Sequence, residues 1–244
     1  MKIIEENSVE INAFKKRIAS ALPVSLSEGQ LEKLYRFMES LKAVNEHINL
    51  TRITDDNAFV EKHLLDSLAC PLTPADQRII DVGTGGGFPG IPLAIAYPQK
   101  QFVLVDATAK KVKAVEKIAA DLGLANIELT AARAEALGKN PAYRERFDAA
   151  CSRAVAAYGI LSELCLPLVR TGGTFYAWKG EKYREEIDAA IDGVETLGGG
   201  EIRVSQNLLL KNTAFHVIIQ CIKNGRTPAQ YPRNYGQIKK KPLC

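Results

Sequence analysis

Apolar positions change their period part-way along the chain, and the change divides it. Up to about residue 70 they recur every three or four residues, the spacing of one helix face. Ile4, Ile11, Phe14 and Ile18 mark a first helix, which Pro23 ends. Ser27 and Gln30 have the form of a capping box. Leu31, Leu34, Phe37, Met38, Leu41 and Val44 then stripe a second helix, a pattern of core rather than of a cofactor box. Val60, Leu64, Leu65 and Leu68 predict a third helix over 56–68, closed by Pro71 and Pro74. Residues 1–75 read as an N-terminal helical cap.

From Arg78 onward, short apolar runs alternate with helical segments. Strands are predicted over 78–82, 101–105, 126–130, 147–151 and 173–178, and helices over 89–97, 109–122, 133–138 and 156–168. A further helix spans 181–197. Two runs, 201–210 and 215–223, joined by Lys211-Asn212-Thr213-Ala214, have the character of a strand pair. Five parallel-type units and a closing hairpin predict an α/β, doubly wound, Rossmann-like core over 76–223 with a mixed seven-stranded sheet. An ordinary dinucleotide dehydrogenase would continue with strand–helix–strand; the hairpin favours the class I methyltransferase architecture. Residues 224–244 form a basic, Pro-containing tail, expected to be extended. It is either a solvated tail or a phosphate-contacting arm using Arg226, Arg233, Lys239, Lys240 and Lys241.

Composition narrows the classes. A chain of 244 residues buries a core without staples. Its net charge of +4 permits an anionic partner without demanding one. The five cysteines show no paired spacing, so neither a zinc site nor a disulfide framework follows. No apolar run is long enough to span a membrane, and a start carrying Glu5, Glu6 and Glu10 is not a signal peptide. A cytoplasmic monomer is expected.

The candidate chemistry gathers at Ile79-Ile80-Asp81-Val82-Gly83-Thr84-Gly85-Gly86-Gly87-Phe88-Pro89-Gly90. Strand, glycine turn and helix make a ligand site at the carboxyl edge of a doubly wound sheet. Gly85-x-Gly87-x-x-Gly90 fits a dinucleotide fingerprint, whereas Asp81-x-Gly83-x-Gly85-x-Gly87 fits the loop used for S-adenosylmethionine. Asp81 favours the second: an acid opposes a pyrophosphate but suits an ammonium and a sulfonium. Asp106, ending the next strand, is placed to accept from ribose hydroxyls. After the third strand, Ala134 and Glu135 can reach an adenine ring. Arg153 at the exit of the fourth strand can hold an anion bidentately or stack on a base, or form a surface ion pair. Lys179 ends the fifth strand on the same edge with the same options. Both are candidates to position substrate, and no residue is assigned as a catalytic acid or base. Cys151 lacks a partner base and reads as a buried strand residue. His47, Asn49, Thr51 and His63 cluster at the end of the cap, but two histidines without a positioned carboxylate are structural, and no metal is expected.

Taken together these residues resemble the RsmG (GidB) family, the ribosomal RNA small subunit methyltransferase G. The resemblance runs through His47-Ile48-Asn49-Leu50-Thr51, His63-Leu64-Leu65-Asp66-Ser67, Asp81 to Leu93, Ser152-Arg153-Ala154, Lys179-Gly180 and Tyr231-Pro232-Arg233. Gly-Phe-Pro-Gly-Ile-Pro-Leu is its most specific part. The resemblance implies an S-adenosylmethionine-dependent enzyme that methylates N7 of one guanosine in the 16S rRNA of the small ribosomal subunit. It assigns cofactor contacts to Gly83, Phe88, Ala134, Glu135 and Arg153. Two other classes remain open at this point: a nicotinamide-dependent oxidoreductase on the same loop, and an RNA-binding factor without turnover.

Overall fold

A computed structural model describes residues 2–22, 25–153, 155–206 and 216–243. Pro23, Ala154 and the run 207–215 fall outside the described residues, as does the side chain of Ile4. Two helices open the chain, α1 (Lys2–Ala21) and α2 (Glu28–Asn45). The capping box forms as its residues predict: Gln30 N–H donates to Ser27 Oγ, and Ser27 N–H donates to Gln30 Oε1. The Gln30 amide also reaches the carbonyls of Ile95 and Ala96, each at 2.9 Å, and so ties the cap to the sheet domain. The third cap segment is not one α-helix. α3 (Asp56–Phe59), capped by Asp55, widens into a π-helical stretch, Val60–Leu65, before α4 (Asp66–Leu68). Val60, Leu64, Leu65 and Leu68 are buried all the same.

The sheet follows, with β1 (Arg78–Val82), α5 (Gly90–Ala96), β2 (Gln101–Asp106), α6 (Ala109–Asp121), β3 (Ile127–Ala131) and α7 (Ala134–Leu137). Then come β4 (Phe147–Arg153), α8 (Tyr158–Cys165) with a 3₁₀ turn at Leu166–Leu168, and β5 (Val169–Lys179). The helix expected over 181–197 is two, α9 (Tyr183–Asp188) and α10 (Ile191–Thr196), parted at Ala190, where φ is −117°. β6 (Gly199–Gln206) and β7 (Val217–Lys223) complete the sheet, and α11 (Tyr235–Lys240) follows. The strand order is β3-β2-β1-β4-β5-β7-β6. β1 to β5 are parallel, and β7 inserts antiparallel between β5 and β6.

Side chains alternate across this sheet with period two. Ile79, Phe102, Leu104, Ala149, Cys151, Tyr176 and Trp178 face the cap, α5 and α6. Ile80, Val103, Val105, Ala150, Phe175 and Ala177 face α8, α10 and α11. The cap shares its core with the sheet: Leu34, Phe37 and Leu41 belong to one apolar cluster with Phe88, Ile91 and the strands. The tail corrects an expectation. Residues 224–243 fold back onto the second face, where Ile238 is fully buried. Among the described residues no helix is long and apolar enough to cross a membrane.

Candidate active site

At the carboxyl end of β1 the chain must turn at once, and glycines permit it. Gly83, Gly85 and Gly87 hold φ of 77°, 56° and 92°, values that L side chains resist. Space forbids a side chain as well. A Cβ at Gly83 would lie 2.5 Å from Val155 Cγ2, and one at Gly87 2.6 Å from Ile91 Cγ1. The Gly83 and Thr84 N–H groups donate to Val105 O and fold the loop across the end of β2.

Beside this loop lies a cavity of about 510 Å³. One wall is the loop itself, Gly83 to Gly86. A second is Asp106 with Ala107, a third runs from Ala132 to Glu135, and a fourth is Arg153 with Val155. The cap lends Leu50 and His63, and the tail lends Tyr235. The ends of four neighbouring strands and two distant segments thus meet at one point, the crevice where open α/β sheets bind ligands.

Asp106 is fixed in two directions. Its Oδ2 accepts from Gly85 N–H at 3.1 Å and its Oδ1 from Thr108 N–H at 2.8 Å. Asp81 stands elsewhere than a direct ligand contact requires. It is buried behind the loop, off the cavity wall, and its Oδ2 accepts from Thr84 Oγ1 at 2.7 Å and Gly90 N–H at 2.9 Å. Its Oδ1 has no hydrogen-bond partner among the described residues. Burial pushes its carboxyl up to about 7, against the bonds from Thr84 and Gly90. In this arrangement Asp81 braces the turn. Gly87, also assigned to the cofactor, faces Ile91 and Val115 rather than the cavity.

The cap side of the cavity is a polar chain laid over an aromatic cluster. Phe88 meets Phe37 and Phe59 edge-on and stacks on His63 at 4.2 Å. The Arg153 guanidinium lies over the Phe88 ring at 5.0 Å. Arg153 Nη1 donates to Asp66 Oδ2 at 2.9 Å and to Lys62 O at 2.8 Å, and its Nη2 lies 3.0 Å from His63 Nδ1. A guanidinium only donates, so His63 Nδ1 accepts and Nε2–H points to Thr51 Oγ1, 2.6 Å away. Burial, then the charge of Arg153, lowers His63 to about 3, and the ring is neutral. Burial pushes Asp66 up, but the bonds and charges of His216 and Arg153 outweigh it and hold its carboxyl below the ordinary range. The π-helical turn carries His63 and precedes Asp66, and such turns recur at functional sites.

Sequence reasoning took His63 as structural and did not single out Val155, Lys111 or Tyr235, all of which line the cavity. The signal for His63 was its place four residues from α3 in a run with Asp66; for Tyr235 there was none. Lys179 departs from its expected role as a substrate-positioning cation. Its ammonium is buried, paired with Glu186 Oε2 at 2.7 Å and donating to Ala156 O. Arg233 is likewise committed, to the fully buried Glu163. Arg226 is exposed and sits 3.2 Å from Glu145. Lys239, Lys240 and Lys241 are exposed. Trp178 is core, donating to Asp66 O, and Cys151 is fully buried. Among the described residues no cluster of three or more His, Cys, Asp or Glu is placed to hold a metal.

Comparison with known proteins agrees with this geometry. The model of the family GidB, rRNA small subunit methyltransferase G, matches residues 30–210. A ribosomal RNA small subunit methyltransferase G of Alkaliphilus oremlandii is 36% identical over 240 residues, covering 96% of this chain and all of that protein. That of Clostridium novyi is 40% identical over 233 residues, covering 92% and 94%. Among solved structures, a predicted O-methyltransferase of Agrobacterium tumefaciens aligns with a TM-score of 0.53 at 18% identity, over 68% of this chain and 82% of that one. TYW2 of M. jannaschii, solved in complex with AdoMet, aligns at 0.52 and 15% identity, over 70% and 77%. Those two structures share the fold; it is the family model over residues 30–210, with sequence relatives along nearly the whole length, that makes this chain a member of the rRNA small subunit methyltransferase G family.

Proposed function

We propose that the cavity binds S-adenosylmethionine and that the enzyme transfers its methyl group to N7 of a guanosine in the 16S rRNA of the small ribosomal subunit. One observation supports the cofactor most: the carboxylate of Asp106 and the turn at Ala134–Glu135 open on the same cavity as the glycine loop. Asp106 would take the ribose hydroxyls, Ala134 and Glu135 the adenine, and Gly83 the amino-acid end, with Phe88 and Arg153 behind it. The acidic side chain on the cavity wall, Asp106, suits a cationic ligand and opposes a pyrophosphate. S-adenosylmethionine supplies, when bound, a methyl already activated on a sulfonium.

What the protein must add is alignment. Guanine N7 bears a lone pair and no hydrogen, so no base has to remove a proton. The residues accord with that. The histidine in the cavity wall is neutral and its Nδ1 is engaged by Arg153. Holding donor and acceptor in line contributes about 7–11 kcal/mol to such a reaction. The base becomes cationic as it is methylated, and Asp66 offsets the charge of Arg153 close by. The test is labelling. Small subunits from cells lacking the protein, incubated with it and methyl-labelled donor, are expected to carry label on N7 of one 16S guanosine. Label on another atom, or none on 16S rRNA, rejects the assignment.

A further inference from the structure

The segment after β7 reaches the cavity by a route that several independent contacts hold in place. Tyr235, the first residue of α11, stands in the cavity wall with Leu164 of α8 and Ala134 of α7. One residue earlier than Asn234, the cap of α11, Arg233 grips Glu163. Its Nε lies 2.9 Å from Oε1, its Nη2 2.6 Å from Oε2, and its backbone N–H donates to Oε1 at 2.8 Å. Glu163 is fully buried and adjoins Leu164 on α8. Arg144 makes a second tether. Its Nη1 donates to Gly138 O and Tyr231 O, both at 2.7 Å, and its Nη2 to Thr227 O at 2.6 Å and Pro228 O at 3.1 Å. Gly138 closes α7, and Pro232 packs so tightly on it that a Cβ there would lie 2.8 Å from Pro232 Cγ. Buried Ile238 is a third anchor.

From this we infer that the docked C-terminal segment is part of the cofactor site: Tyr235 completes the wall beside Ala134, and Arg233, Glu163 and Arg144 are the positioning residues that keep it there. The inference rests on the cofactor proposed above and adds residues that a tail rich in Pro, Arg and Lys does not suggest. Its physical content is linkage. A ligand that touches a wall present only when the segment is docked binds the docked form better, and it must favour docking by the same factor. The adenosyl end of the ligand and the tail then stabilise each other, although Arg233 itself does not line the cavity.

The experiment uses the full chain and S-adenosylhomocysteine as probe, with binding read by calorimetry. Arg233→Ala and Tyr235→Ala are each expected to weaken binding about tenfold, within the usual span of coupling between linked sites, while Arg203→Ala on the far edge strand leaves it unchanged. Reciprocally, the ligand is expected to slow tryptic cleavage at Lys239–Lys241 of the wild-type chain by a similar factor. Tyr235→Ala keeps the ion pair, so it decides the matter should Arg233→Ala not fold. Tyr235→Ala binding like wild type, or no protection of the tail, overturns the inference and leaves the cofactor standing. A wild-type chain that does not bind the probe overturns the cofactor and the inference together.

Discussion

Burial favours the neutral forms of two titratable groups at the site, and they pull stability in opposite directions with pH. Burial raises Asp81 to about 7. Its contribution is full below the ordinary carboxyl value and is lost as pH rises through 7. Burial and Arg153 lower His63 to about 3. Its contribution is full above the ordinary imidazole value near 6.5 and is lost as pH falls from there toward 3. Between roughly pH 6.5 and 4.5 the two slopes oppose each other, each amounting to no more than about 1.4 kcal/mol per pH unit. Single variants should separate them. On acidification from pH 7 to 4.5 the melting temperature of His63→Gln is expected to rise relative to wild type, and that of Asp81→Asn to fall. Parallel melting curves for all three proteins across that window would mean that neither group is neutral in the fold. The reason both groups sit so far from their ordinary values is local. Asp81 has two donors and, among the described residues, no cation within bonding distance, and His63 stacks on the Phe88 ring with a guanidinium at its Nδ1.

At the scale of elements, the glycine loop is where backbone and ligand site are the same object. Gly83→Ala would demand φ near 77° of a residue with a Cβ and would place that Cβ 2.5 Å from Val155 Cγ2. The left-handed backbone alone costs about 1–2 kcal/mol. A drop of several degrees in melting temperature and at least tenfold weaker binding of S-adenosylhomocysteine are expected; a variant equal to wild type in both would show that the turn tolerates a side chain. This loop was legible in the sequence because glycine spacing is itself the conformational requirement. The strands were legible too, since Ile79 to Val82 and Phe102 to Val105 are runs that fit only a buried sheet. Two helical details were not. Val60, Leu64, Leu65 and Leu68 show the same apolar stripe whether the backbone is α or π, so the wide turn that presents His63 leaves no trace in the pattern. The break falls at Ala189-Ala190, residues that favour helix, and packing of Gly159 on Ala190 at that spot is a long-range event. The role of Asp81 was misjudged for a related reason: the sequence gives its place at the end of a strand, but not that Thr84 and Gly90 would claim its carboxylate from the loop side.

On the scale of the whole molecule, the distribution of basic groups is less generous than the composition implies. The tail was read from its residue types as extended, whereas Arg233 on Glu163, Lys223 on Glu145 and Arg144 on four carbonyls draw it into the core. Arg233–Glu163 and Lys223–Glu145 span 70 and 78 residues, and Arg144 reaches the carbonyls of Thr227, Pro228 and Tyr231 across 83, 84 and 87, which no local pattern can announce. Cations spent in this way are not available to an RNA backbone. Of the groups first assigned to phosphate, Lys179 and Arg233 are committed internally and Arg226 shares Glu145, which leaves Lys239, Lys240 and Lys241 at the exposed end of α11. That helix begins with Tyr235 in the cavity wall, and at 1.5 Å per residue Lys240 is only about 8 Å farther along its axis. RNA held by these lysines would therefore lie within one or two helical turns of that wall. Phosphate contacts announce themselves in salt dependence: three contacts contribute a slope of roughly −2 to −3 in log affinity against log salt. Replacing the three lysines together by alanine is expected to weaken binding to 16S rRNA and to flatten the slope by about that amount, measured between roughly 50 and 200 mM salt, while binding of S-adenosylhomocysteine stays as in wild type. A slope unchanged by the triple substitution would move the RNA surface off the tail, to the rim formed by the cap.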